Sequence, residues 1–295
     1  MTIPSVRHPL WKDIVDLHHR NRVYYKVDFR MEEGGIKHVF VNGFDVDLSI
    51  NMRTIRKKGR FARIVTVSDV TSYGHLSYFD GVELLGEAET TKLLETAAPL
   101  IDPASASFSS IWGSTDCTKL LLTALFKRVY LKRISVKYCG QIAYDFLEDQ
   151  INNSLFLNYV NISGRNWPKA TFDLLTDFLK ERPGKRVRIF FDRRIHLDSN
   201  YIQRLLDLWK TNGTLHFELH SFENILDKEE LLALMNKGKL SRDARNDEMR
   251  FFQHDTENSL AVLSSQGYLL RCYTCECDKF EKCQLKKEHP EFHNF

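Results

Sequence analysis

The sequence predicts an α/β chain in which short strands and amphipathic helices alternate through the middle. A β-rich segment precedes them and a tail crowded with cysteine and histidine follows. Three observations predict this. Candidate strand centres at Val136, Leu157, Ile189 and Phe217 lie 21, 32 and 28 residues apart, with a helical pattern between them. The first 75 residues carry alternating apolar positions around a glycine turn. Four of the six cysteines and two of the eleven histidines fall between Cys272 and His293.

Each element has its own signal. LWKDIVDLHHR (10–20) puts Leu10, Ile14, Val15, Leu17 and His18 near one helical face. RVYYKVDFR and IKHVFV alternate on either side of MEEGG, where Gly34-Gly35 supplies the turn of a hairpin. RFARIVTV (60–67) reads as a further strand. TTKLLETAAPLI (90–101) and DCTKLLLTALFKRV (116–129) read as helices, the second capped by Asp116. Strands are then expected over 131–139, 154–162, 185–191 and 214–222. The helices between them cover 141–151, 167–181 and 198–213. Pro168 suits a first helical turn, Asp198 or Ser199 a start and Gly213 an end. A helix and one last strand, ENSLAVLSS, precede the tail. This divides the chain into 1–84, 85–225 and 226–295.

Spacings of about 20 to 30 residues per strand–helix unit point to an irregular leucine-rich-repeat-like solenoid, with a β-rich N-terminal segment and a Cys/His-containing C-terminal cap. Alternate strand residues (Ile134, Val136; Leu155, Leu157, Tyr159; Val187, Ile189; Leu215, Phe217, Leu219) would face the helices. No single unit buries such a face alone, so neighbours must stack. The competing reading is a compact α/β sheet with right-handed crossovers. Strand order separates the two, because a solenoid is strictly sequential.

Composition bounds the function. The chain has 295 residues, 43% hydrophobic and 27% charged, enough for a core that needs no disulfide. No run reaches 18 apolar residues and the start lacks an apolar leader, so the expected setting is the cytoplasm or nucleus, with reduced thiols and no membrane contact. Net charge is +3, so nucleic acid is not an expected partner, and the basic run MRTIRKKGRFAR (52–63) is expected to be a solvated strand or loop edge. The phosphate-loop, dinucleotide, zinc-protease and nucleophile-elbow motifs are all missing, and no catalytic residue is assigned. Asp192 with His196 reads as loop hydrogen bonding.

In a solenoid the outward strand residues form an extended binding face. By alternation these include Lys137, Asn158, Arg188, Phe190, His216, Glu218 and His220, whose mixed polar and aromatic character suits protein recognition. In the tail the spacing is Cys272-x2-Cys275-x-Cys277-x5-Cys283-x5-His289-x3-His293. A tetrahedral zinc needs four such ligands, and Cys275, Cys283, His289 and His293 would serve, with Cys277 or Cys272 as substitutes. The zinc would be structural, sealing the end of the solenoid. The other reading of the tail is free thiols docked on the last repeat.

The opening PLWKDIVDLHHRNRVYY, the WPKATFDLLTDFLKERP helix and the CDKFEKCQLKKEHPEFHNF tail resemble the nematode lineage-expanded family of F-box proteins with divergent leucine-rich-repeat-like regions. In that family an F-box binds the adaptor of a cullin-type ubiquitin ligase and the repeats hold the substrate. The segment around Trp11, Ile14, Leu17 and Arg20 is similar to the end of an F-box, which would assign Trp11, Ile14 and Leu17 to adaptor docking. The resemblance implies a non-enzymatic protein-interaction scaffold in substrate recognition. The alternative left open is a zinc-dependent nucleic-acid-binding protein using the Cys/His tail and the basic run. An enzyme assembled from non-local residues would show as a deep pocket with shifted pKa values.

Overall fold

A computed structural model describes residues 9–43, 45–182, 185–221, 225–242, 248–264, 268–278 and 283–293. The chain is mixed α/β and divides into two compact units, Met1–Lys132 and Arg133–Phe295.

The first unit contains α1 (Pro9–Asn21), β1 (Val23–Glu32), β2 (Gly35–Asn42), β3 (Asp45–Val46), α2 (Met52–Lys57), β4 (Ala62–Asp69), α3 (Glu87–Ala97), β5 (Ser107–Ser109) and α4 (Thr115–Leu125). Its strand order is β5-β4-β1-β2-β3, with β1 parallel to β4 and antiparallel to β2. The expected hairpin is present, with Glu32 opposite Gly35 and a turn whose Gly34 sits at φ 91°, a conformation that favours glycine. Ser114, not Asp116, caps α4, its Oγ accepting the Cys117 N–H at 3.1 Å. The basic run corrects an expectation. Through Phe61 it forms α2 and a 3-10 turn (Gly59–Phe61) rather than a strand or loop edge, and its last residues, Ala62 and Arg63, begin β4. The Asn51 side chain accepts the N–H groups of Arg53 and Thr54, which starts the helix.

The second unit contains β6 (Arg133–Lys137), α5 (Gln141–Asn153), β7 (Tyr159–Ser163), α6 (Ala170–Lys180), β8 (Val187–Phe191), α7 (Ser199–Thr211) and β9 (Phe217–Ser221). Then follow α8 (Lys228–Met235), β10 (Lys239–Arg242), β11 (Glu248–Gln253), β12 (Ser259–Ser264), β13 (Tyr268–Thr274) and α9 (Gln284–Glu288). Strands β6, β7, β8 and β9 lie side by side in chain order and pair in parallel. Beyond β9 the order continues β13-β12-β11-β10, all antiparallel. The single last strand expected after residue 225 is therefore one of four among the described residues.

Inward residues of the parallel strands are aliphatic or aromatic: Ile134, Val136, Val160, Ile162, Val187, Ile189, Phe217 and Leu219 are all buried. Phe191 meets Phe172 of α6 and Tyr201 of α7, which fixes this parity as the helix side. Burial of each such side chain contributes roughly 1.5–3 kcal/mol. Asp198 caps α7, accepting the Tyr201 N–H at 2.7 Å, as expected. Gly213 is needed for space instead of for a cap, since a Cβ there would lie 2.7 Å from Glu257.

One strand starts later than expected. α5 runs on to Asn153 and a turn follows, so β7 begins at Tyr159 instead of 154. Leu155 and Phe156 are exposed in that turn, while Ser154 and Leu157 on either side of them are buried. The alternation restarts at Tyr159, which therefore faces outward, away from the helices. Asn158 sits just before the strand, its carbonyl accepting the Arg188 N–H.

Candidate metal centre and recognition face

The outer face of the second unit has two halves. Over β11–β13 it is covered by the tail. Leu260, Val262, Phe251 and Tyr273 form one apolar cluster with Cys283 and Leu285, with Cys275 and Phe292 packed against it. Every residue of β12 is buried, because Trp209 of α7 donates to Ser259 Oγ on one face while Leu285 of α9 packs with Leu260 and Val262 on the other. Tyr273 Oη donates to Glu288 at 2.7 Å, and Phe292 stacks on Phe251 at 4.9 Å.

The turn after β13 and the start of α9 bring Cys275, Cys277, Cys283 and His293 together. One ligand atom from each lies within 4.8 Å of every other. His293 Nε2 is 3.4 Å from Cys275 Sγ and 3.0 Å from Cys277 Sγ. The 3-10 turn Pro290–Phe292 presents His293, and the Glu276 N–H points at Cys283 Sγ at 3.5 Å. With metal–sulfur bonds near 2.3 Å, neighbouring ligand atoms of a tetrahedron are about 3.8 Å apart, so this group is close to a closed ligand shell. Burial pushes the exposed-edge thiol of Cys277 up to about 11, helped by the Cys275 and Cys283 thiols. Burial also acts upward on Cys283, but the N–H groups of Glu276 and Lys286, together with the Cys277 and Cys275 thiols, bring that thiol below its ordinary value. The group could hold a metal ion.

The ligand set differs from the expected one in a single member. Cys277 takes the place of His289. His289 is buried between Tyr273 and Phe251, with ring centroids 5.0 and 5.4 Å away. Burial, then Arg271, depress its pKa, so it packs as a neutral ring. The other substitute, Cys272, is buried in β13 opposite inward-facing Phe217, and burial pushes its thiol well up. The x9 interval from Cys283 to His293 spans one helical turn and one 3-10 turn, a route the spacing alone does not distinguish from the shorter step to His289.

At the border of the covered half lie His216 and Glu218. His216 is buried beside Glu276 of the tail, its Nδ1 3.5 Å from Oε1, and burial lowers its pKa. Glu218 is only 4% exposed. Both Arg186 and Arg188 hold its carboxylate, Arg188 Nε at 2.9 Å, and His220 Nε2 lies 3.5 Å away. Burial opposes ionisation, but His220, Arg186 and Arg188 overcome it and hold the pKa at about 2. So these two members of the expected binding face are not at the surface: the tail covers one and arginines cover the other.

Over β6–β8 the face is open. Arg133 lies over the Tyr159 ring at 4.8 Å, Tyr159 is 4.9 Å from Phe190, and Phe190 stacks on His220 at 3.8 Å. This ladder crosses four neighbouring strands. Lys137 and Asn161 flank it, half-buried. Of the expected face, Arg188, Phe190, His220 and Lys137 belong here, and Asn158 lies at its edge. Arg133 and Tyr159 were not expected; Tyr159 was placed inward by counting alternation from residue 155.

Elsewhere, Trp11 and Ile14 lie in α1 with side chains outside the described residues, and Leu17 is exposed. Asp192 accepts its neighbour's N–H from Arg193 at 2.8 Å, the loop role expected of it. A groove of about 360 Å³ between α6 and α7 is lined by Lys169, Asp173, His196 and Arg204. Its Asp173 and Arg204 neutralise each other at 2.6 Å. Among the described residues no helix is long and apolar enough to cross a membrane. Neither protein-family models, nor curated proteins, nor solved structures give a match to this chain.

Proposed function

We propose that the chain is a non-enzymatic recognition module whose open outer face, across β6–β9, binds another protein. The observation that carries this is the Arg133–Tyr159–Phe190–His220 ladder. Tyr, Phe and Arg are the side chains enriched in the centres of protein interfaces, and rings locked by their neighbours lose little freedom on binding. The ladder suits a protein better than stacked nucleobases, because each ring face already lies against the next ring. The sequential order of β6–β9 supports a leucine-rich-repeat-like arrangement, in which such a face is the usual contact surface.

Zinc is the metal the donor set favours: three thiolates and one imidazole make a four-ligand structural shell. It would lock the tail over β11–β13 and set the boundary of the open face. Substrate recognition for a cullin-type ubiquitin ligase is the setting that the F-box resemblance implies, with Trp11, Ile14 and Leu17 docking the adaptor.

A photo-crosslinking residue at Tyr159 tests the face, with one at exposed Asp207 of α7 as control. Crosslinks to a protein from Tyr159 alone are expected, and labelling at both positions alike would end the proposal. Adaptor docking is tested with the purified adaptor and the full chain. Binding that Leu17→Glu abolishes is expected; no binding removes the ligase setting and leaves the recognition face.

A further inference from the structure

Some exposed cations elsewhere in the molecule find carboxylates. Arg128 meets Glu95 at 2.9 Å and Arg204 meets Asp173 at 2.6 Å. One surface of the first unit does the opposite. Arg53, Arg56 and Lys57 follow the spacing i, i+3, i+4 along α2, so they share a side, while Ile55 is buried on the other; Arg60 follows in the 3-10 turn, after Gly59 at φ 54° has ended the helix. All four are exposed, and none has an ion pair among the described residues.

The fold adds cations from a second segment. His18 near the end of α1 packs on Phe61 at 5.3 Å, directly after Arg60. Exposed Arg20 and Arg22 lie two and four residues after His18. Among the described residues Arg20 makes a hydrogen bond to the Asp16 carbonyl and no ion pair. Tyr24, exposed, pairs across β1 and β4 with Arg63. Packing like charges together opposes folding unless something neutralises them.

We propose that this surface binds the phosphate backbone of a nucleic acid. The guanidinium fork matches phosphate oxygens in two-point geometry. A lipid surface fits less well, because the apolar side of α2 is already buried and leaves nothing to insert. An acidic protein is the other polyanion such cations would take, and the test below separates the two. Recognition is of charge and not of sequence, since Arg and Lys contacts to phosphate carry no base information. The surface lies outside the tail, so binding is independent of any metal there.

Fluorescence anisotropy of the full chain with a labelled 20-base RNA, and separately a 20-base-pair DNA duplex, tests this across a salt series. Four phosphate contacts predict an affinity loss of about 50- to 150-fold between 50 and 200 mM salt. Arg53→Glu with Arg56→Glu should weaken binding at least tenfold, with the circular dichroism spectrum unchanged; Arg53→Gln with Arg56→Gln gives a milder loss should the reversal disturb folding. A chelator should change nothing. Absent binding, a flat salt response or full affinity in both double variants would overturn the proposal. Displacement of the RNA by polyglutamate at equal charge concentration would overturn it in favour of an acidic protein.

Discussion

Arginine does two different jobs in the two units. Arg186 and Arg188 in the second unit close on one buried carboxylate, Glu218. Arg53, Arg56 and Arg60 in the first unit face solvent without a carboxylate among the described residues. The first arrangement joins strands β8 and β9 at the border where the tail begins to cover the sheet. The second makes no ion pair among the described residues, and of it Arg60 lies over the Phe61 ring at 5.1 Å. Identical side chains are thus read by what surrounds them: a buried carboxylate between two arginines marks a structural clamp, and exposure without a carboxylate leaves the side chain to the ligand proposed above.

Substitutions should separate these roles by size. The largest effect belongs to the metal group beside the clamp. Cys283→Ser should abolish metal binding and release the tail. A metal in thousandfold excess over its Kd adds about 4 kcal/mol of stability, and thermal unfolding with and without a chelator should lose an amount of that order. Next comes the clamp. Glu218→Gln leaves two guanidinium groups facing one another without a carboxylate, and should cost on the order of 2 kcal/mol in denaturant unfolding. Arg53→Gln should change stability by less than about 0.5 kcal/mol, since it breaks no contact. A loss comparable to that of Glu218→Gln would show that the distinction between clamp and free surface is false.

Acid sharpens the same contrast. The Glu218 carboxyl titrates below its ordinary value of 4.5, at about 2, in the folded chain. Its stabilising contribution is therefore complete above pH 4.5 and declines as pH falls toward 2. Stability of the wild type minus that of Glu218→Gln, followed by urea unfolding at each pH, should shrink across that window. A stability effect between those of Glu218→Gln and Arg53→Gln is expected in the ladder. Phe190→Ala removes a half-buried ring and should cost about 1 kcal/mol, yet it should reduce partner crosslinking from Tyr159 severalfold.

Much of this architecture was legible in the sequence because the signals were local. The hairpin around Gly34, the cap at Asp198 and the strands at β6, β8 and β9 each follow from residues within one turn or one alternation. Tyr159 was not legible in the same way. Its side depends on where α5 ends, and Leu155 and Phe156 continue an apolar pattern through a turn that leaves both exposed. The four antiparallel strands were reduced to one, because β10 and β11 are rich in charged residues and are held by pairing with neighbours instead of by their own apolar pattern. The metal group was legible in kind but not in membership. Spacing allows either His289 or Cys277, and only the packing of His289 between Phe251 and Tyr273 removes it.

Metal content of the purified full chain, measured by plasma mass spectrometry on the wild type, Cys277→Ser and His289→Asn, tests the closed tail most directly. One zinc per chain in the wild type and in His289→Asn, with none in Cys277→Ser, is the predicted result. Zinc retained by Cys277→Ser and lost from His289→Asn would contradict the account, since the tail would then be closed by a different set of ligands.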